Sequence, residues 1–327
     1  MIRRREFITL IGGAAAAWPR VAWAQQPPVP TIGYLEIGTS GAIVEAAFRK
    51  GLSEMGFVDG RNVAIEFRYA EDQNDRLPPL AAELVRRRVA VIFASGGAVV
   101  VPAAKAATAT IPIVFTTGAN PVETGMVASF NRPGGNVTGI SSMATELTAK
   151  RFQLLHQLLP AAARFAVLVN PNVARTAASV TAYAQAAAST FGGHIEVFTA
   201  STDGEIDAAF DSMVQKRADA LLIGTNAFFI TRRGQFATLA ARHAMPTIYF
   251  TRQFVEAGGL MSYGANNADL HRQGGVYVGR ILRGENPADL PVLQASKFEL
   301  LINLKTAKAL GLEVSQDMLS IADEVLE

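Results

Sequence analysis

The chain predicts an α/β protein of two doubly wound parallel-sheet lobes joined by three crossings. Three observations lead there. Continuous apolar runs of four to six residues alternate with amphipathic stretches along most of the chain, as expected of strands covered on both faces by helices. The alternation occurs in two sets, and the sets echo each other. Val89–Gly97 is followed about 20 residues later by Ile111–Gly118, and Ala218–Asn226 at similar spacing by Met245–Arg252. In both echoes the closing strand opens on a proline, Pro112 or Pro246, a position where no ladder donor inside the sheet is lost.

The first set of strands is Thr31–Glu36, Val63–Tyr69, Val89–Ser95 and Pro112–Thr117. The second is Phe165–Asn170, His194–Thr199, Ala220–Thr225 and Pro246–Thr251. Apolar stripes between them mark helices: Leu77, Leu80, Ala81, Leu84 and Val85; Phe152, Leu155, Leu158 and Leu159; Ile206, Phe210, Met213 and Val214. Three extended segments, Asn131–Ile140, Gly258–Gly264 and Lys297–Asn303, read as crossings between lobes. The boundaries follow: residues 28–140 plus about 264–298 form one lobe, and about 141–262 plus about 300–327 the other.

The first 24 residues read as a cleaved export signal. Arg4-Arg5-Glu6-Phe7 is a twin-arginine pattern, Ile8–Ala17 is a short apolar run, and Ala22-Trp23-Ala24 is an A-x-A cleavage site. The paired arginines, with Arg20 near the cleavage site, point to the Tat route rather than Sec. The expected location is therefore periplasmic. Four of the 30 basic residues (Arg3, Arg4, Arg5, Arg20) and one of the 28 acids (Glu6) lie in this leader, leaving 26 basic and 27 acidic residues, a net charge of −1. No basic field remains for nucleic acid. There is no cysteine, which removes disulfides, thiolate metal sites, thiol nucleophiles and a lipid-anchoring cysteine together.

In open parallel sheets, ligands bind beyond the carboxyl ends of the strands. Those ends are small and polar here: Gly38-Thr39-Ser40, Ser95-Gly96-Gly97 and Thr116-Thr117-Gly118 in the first set, Asn170-Pro171-Asn172, Thr225-Asn226 and Thr251-Arg252 in the second. Hydroxyls, carboxamides and bare N–H groups suit a neutral or zwitterionic small molecule. The candidate ligand-binding residues are Ser40, Ser95, Gly96, Thr116, Thr117, Asn170, Asn172, Asn226, Phe228 and Arg252. Each has a plainer reading. Ser, Thr and Asn also cap helices. Phe228 and Phe229 either wall a ligand or belong to the core. Arg252 pairs with a ligand carboxylate or bridges the lobes. The four histidines, His156, His194, His243 and His271, have no metal-ligand spacing. No Walker, dinucleotide or nucleophile-elbow motif is present. No acid–base pair stands out, and no cofactor or metal is expected.

Five phrases carry a family resemblance: Phe48–Glu71, Asp75–Val85, Thr110–Ser141, Arg252–Gly264 and Lys297–Leu312. Over about residues 30–327 the chain resembles ABC transporter substrate-binding proteins, in a branch labelled as binding sugars or amino acids. The resemblance implies a type I periplasmic binding-protein fold, with ligand held between the lobes and delivered to an inner-membrane permease. Some relatives look like binders of aromatic amino acids. Several carry an acid where this chain has Asn226, which would suit a ligand ammonium group. The implied protein is a monomeric, non-enzymatic receptor for a small polar or aromatic solute. A ligand-presenting sensor subunit and an exported hydrolase are the alternatives.

Overall fold

The computed structural model describes residues 29–97 and 99–327; the export-signal reading lies outside the described residues. The first half runs β1 (Thr31–Glu36), α1 (Ala42–Glu54), β2 (Ala64–Tyr69), α2 (Leu77–Arg86), β3 (Val91–Ser95), α3 (Val100–Ala107), β4 (Ile113–Thr117) and β5 (Val137–Ser141). The second half runs α4 (Thr148–Leu158), β6 (Arg164–Val169), α5 (Ala174–Ser189), β7 (His194–Thr199), α6 (Asp203–Gln215), β8 (Ala220–Ile223), α7 (Ala227–Thr231), α8 (Arg233–Arg242), β9 (Thr247–Tyr249), α9 (Gln253–Glu256) and β10 (Met261–Ala265). The chain then revisits the first half through α10 (Asn267–Leu282) and β11 (Leu293–Gln294). It closes on the second with β12 (Phe298–Asn303), α11 (Leu304–Ala309), α12 (Gln316–Ser320) and β13 (Glu324–Leu326).

These strands form two mainly parallel sheets, as the apolar runs predicted. One has the order β2-β1-β3-β4-β5-β11 and the other β7-β6-β8-β9-β10-β12-β13. The first five strands of each sheet follow one permutation, so the echo in the sequence is an echo in topology. Central strands β3 and β4 are buried at every residue, whereas the edge strand β7 is exposed at His194, Val197 and Thr199. Pro112 and Pro246 serve as acceptors only, taking the Ile92 and Leu221 N–H groups at 2.8 Å each.

Each sheet has apolar clusters on both faces. Leu35, Ile92, Ala94 and Phe115 pack under α2 and α3, while Ile32, Tyr34, Phe93 and Val114 pack under α1 and α10. In the second sheet Phe165 and Val167 pack under α4 and α5, and Leu168 and Leu221 under α6 and α8. The predicted stripe on α6 is off by one place. Val214 is 43% exposed and Ala209 takes its position in the core beside Ile206, Phe210 and Met213.

The segments read as crossings are themselves strands, β5, β10 and β12, and the chain passes between the sheets at their ends. The passages are Ser142–Leu147, Asn266, and Ala295–Lys297. They are tied together by backbone hydrogen bonds, Ala295 N–H to Ser141 O at 2.8 Å and Asn266 N–H to Lys297 O at 3.0 Å. Lys297 also pairs with Asp269 on α10 at 2.9 Å.

Helix α10 returns to the first sheet by packing against α1 at backbone contact. A Cβ on Gly51 would lie 1.8 Å from the Arg272 carbonyl oxygen, and one on Gly275 would lie 2.2 Å from the Phe48 carbonyl oxygen. Only glycine fits where two helix backbones touch. We predict that Gly275→Ala destabilises the fold by about 3 kcal/mol, the upper end for overpacking, because backbone cannot swing aside as a side chain can. Gly234→Ala on α8, where a Cβ would meet nothing within 4 Å, should instead gain up to about 1 kcal/mol. Denaturant unfolding of the two variants checks the contrast.

Candidate functional site

The strand order reverses between the parallel neighbours β1 and β3 in one sheet and β6 and β8 in the other. A crevice opens at such switch points, outside the strands' carboxyl ends. The carboxyl ends of the two sheets face each other. A Cβ on Gly118, after β4, would sit 3.0 Å from Thr225 Cγ2, after β8. The Ser179 hydroxyl on α5 donates to Glu123 of the loop after β4 at 3.2 Å, and the Arg175 guanidinium donates to the Glu123 carbonyl.

On the first wall, Glu36 and Ser95 are register partners at the last residues of β1 and β3. Ser95 is buried, with Oγ 3.0 Å from His271 Nε2. The other ring nitrogen, Nδ1, lies 2.8 Å from the Asn267 carbonyl oxygen. A carbonyl accepts only, so Nδ1 carries the ring proton and Nε2 is bare. The Ser95 hydroxyl is therefore the donor to His271, and its oxygen lone pairs face away from the ring. Thr116 Oγ1 approaches that oxygen at 3.5 Å. Burial pulls the His271 pKa down to about 4, against the Asn267 hydrogen bond. Phe93 places its ring at a steep angle to the imidazole, centroids 5.8 Å apart.

Glu36 is half-buried, and its carboxylate lies 3.5 Å from the Gly38 N–H. Burial pushes its carboxyl above the ordinary range, against hydrogen bonding from the Gly38 and Ile37 backbone. Among the described residues no cation pairs with it. The neighbouring Tyr34 hydroxyl is buried without a partner. Gly96 turns the chain out of β3 at φ +106°, and a Cβ there would lie 2.4 Å from Ile37 Cγ2. Thr117 Oγ1 accepts the Ala119 N–H at 3.1 Å. Ser40 is exposed and donates to Glu45 at 2.6 Å, as does Tyr69. Burial works against the Glu45 charge, but these bonds, the Gly41 N–H and Arg49 hold its carboxyl below the usual range.

On the second wall, Asn170 and Asn226 form a clasp. Asn170 Oδ1 accepts the Asn172 N–H at 2.9 Å, and Asn170 Nδ2 donates to Asn226 Oδ1 at 3.3 Å. Asn226 Oδ1 also accepts the Phe228 N–H at 2.9 Å. Two donors on one oxygen pin the amide, so Asn226 offers its Nδ2 hydrogens outward, with no partner among the described residues. Both side chains cap the helical turns that follow them. Asn172 is exposed. The phenylalanine pair divides: Phe229 is fully buried, while Phe228 is half-buried with the Arg232 guanidinium 5.0 Å over its ring.

Arg252 is placed apart. Its Nε, Nη1 and Nη2 meet Glu256, Glu299 and Glu324 at 2.7, 3.2 and 2.9 Å. All three acids belong to its own half of the molecule, so it neither bridges the sheets nor presents a free fork. A different arginine is fully buried between a crossing and β8. Arg151 donates from Nη2 to the Ala144 carbonyl at 2.7 Å and to Thr148 Oγ1 at 2.9 Å. Burial lowers its pKa to about 9, opposed by the Glu146 charge.

Three participants escaped the sequence reading. Glu36 had a visible signal: an acid ends an otherwise apolar strand, level with Ser95. The Ser95–His271 pair spans 176 residues, and Arg151 sits in an ordinary amphipathic helix, so neither had one. The serine–histidine pair fills the place where no nucleophile–base pair was expected. A base of pKa about 4 is poorly matched to proton abstraction near neutrality, so its evident work is to orient the Ser95 hydroxyl. Among the described residues there is no cluster of metal-ligand type and no helix long and apolar enough to cross a membrane.

The chain matches the family model described as ABC transporter substrate binding protein over residues 39–326. It is 29% identical over 271 residues to a tyrosine-binding protein of Clostridioides difficile (strain R20291), covering 81% of this chain and 76% of the relative. The solved structure of an ABC domain in complex with L-Trp from Streptococcus pneumonia is 24% identical, with a TM-score of 0.80 over 91% of this chain and 99% of that one. The ligand-free, open structure of a substrate-binding protein with adhesive properties from Clostridium difficile is 27% identical, with a TM-score of 0.69 and the same coverage.

Neutral, buried His271 predicts an acid-sensitive fold. The unfolded chain takes a proton on this ring near pH 6.5, while the folded chain resists until about pH 4. The unfolded state thus binds more protons between these values, and stability falls as pH drops through that window. The expected loss is on the order of 3 kcal/mol, with no contribution from this ring above pH 6.5. Denaturant unfolding from pH 7.5 to 4 reads it as the difference between wild type and His271→Gln, whose profile should be flatter.

Proposed function

This chain is a member of the ABC transporter substrate-binding protein family, and we propose that it is the exported receptor of an importer, capturing an amino acid between its two lobes and passing it to an inner-membrane permease. One observation carries the reading: the two switch points face each other, each ending in small polar side chains. The ligand class draws support from relatives, one named as tyrosine-binding and one solved with L-Trp. An aromatic amino acid is the foremost candidate, with the half-buried ring of Phe228 as an apolar wall.

On this reading the leader directs export and is removed, and the mature chain works as a monomer without cofactor or turnover. The lobes are the two sheets with their helices, about residues 28–140 with 264–298 and about 141–262 with 300–327. Ligand binds the strand ends of one lobe, and closure brings the other set onto it. The ligand favours closure only by binding that form more tightly, so both walls contribute. Ser95, Gly96, Thr116 and Thr117 line the first wall, and Asn170, Asn226 and Phe228 the second. Ser40 and Asn172 lie at the rim. Arg252 falls outside the site, held by its three acids.

Thermal shift against the amino acids, aromatic acids and sugars tests the class. A true ligand at 100 times its dissociation constant stabilises the fold by about 2.7 kcal/mol. Tryptophan or tyrosine should do so and sugars should not. Asn226→Ala and Ser95→Ala should each weaken binding roughly tenfold to a hundredfold. Arg252→Ala should lower stability and leave affinity intact. Stabilisation by sugars alone would overturn the ligand class.

A further inference from the structure

Asn226 is the N-cap of α7. Its amide is pinned with Oδ1 turned inward by Asn170 and the Phe228 N–H. What it offers is two N–H donors, the complement of a carboxylate and the wrong polarity for an ammonium. The first wall has the opposite character. Glu36 presents a half-buried carboxylate with no cationic partner among the described residues. Ser95 beside it has its proton committed to His271, so it offers oxygen lone pairs. The buried Tyr34 hydroxyl has no partner. A buried carboxylate without a counter-ion is unfavourable unless something cationic arrives or it is protonated. An ammonium group has three donors and no acceptor, which this group of oxygens matches.

Resting on the amino-acid reading above, we infer that Glu36, with the Ser95 oxygen beside it, seats the ligand's ammonium group, while Asn226 Nδ2 faces its carboxylate from the other wall. The zwitterion then enters in one orientation, amine toward the first sheet and carboxylate toward the second.

Calorimetric titration of the mature protein with L-tryptophan, L-tyrosine, indolepropionate and hydroxyphenylpropionate tests this. Wild type should bind the amino acids about thirtyfold or more tightly than the deaminated acids, as expected when one partner of a buried charge pair is removed. Glu36→Gln should lower amino-acid affinity by a similar factor and leave the deaminated acids within about threefold. Asn226→Asp should weaken amino-acid binding roughly tenfold, since it sets a carboxylate against a carboxylate. Equal affinity of Glu36→Gln and wild type for the amino acids would overturn the assignment alone and leave the receptor reading standing. Tighter binding by Asn226→Asp would overturn it too, placing the ammonium on the second wall. If no amino acid binds wild type, the amino-acid reading and the assignment fall together.

Discussion

The seam between α1 and α10 is the constraint on which the molecule depends. The chain leaves the first sheet for more than 100 residues and must return to it in the right register. It does so by laying α10 against α1 so closely that Gly51 and Gly275 meet opposing carbonyl oxygens. Such a contact tolerates little sliding, because a shift along the helix would set side chains against backbone. The seam fixes the height of His271 beneath β3, and His271 in turn fixes the Ser95 hydroxyl. It also fixes where β11 reaches β5 and where the last crossing starts. A packing contact between two helices thus sets the direction of a hydroxyl at the end of β3.

The two walls are chemically unlike despite their shared topology. The first is rich in acceptors because a bare imidazole nitrogen takes the serine proton. The second is rich in donors because an asparagine oxygen is already doubly occupied. Neither polarity follows from residue type, since serine and asparagine both donate and accept. It follows from what lies behind each group. The hydrogen-bond partners one layer back decide which polar atoms each set of strand ends presents.

Most of the architecture was legible in the residues. Apolar runs such as Val91–Ser95 and Ile113–Thr117 marked central strands because both faces are covered, and the repeated proline-led strand disclosed the doubled topology. Strand ends were placed less sharply: Thr225 and Thr251 were read as strand but lie in the loops that follow. The crossings were read one element off, as β5, β10 and β12 rather than the short passages after β5 and β10 and before β12, since extended polar–apolar segments look alike inside and outside a sheet. The candidate site was legible as a set of loops. Its polarity was not, because the bond between Ser95 and His271 joins residues distant in sequence. Arg252 misled for the reason that long cations often do: its three acids come from α9, β12 and β13, which only the fold assembles.

The three passages between the sheets are neighbours, roped by the Ala295–Ser141 and Asn266–Lys297 backbone bonds. Three short strings knotted side by side behave like the spine of a book. Such a spine lets the covers swing about its length while opposing sliding or twisting of one against the other. Were one sheet to rock against the other, travel would grow with distance from that spine and be least for Gly118 and Thr225, which meet beside Ser142 and Ala144 of the first passage.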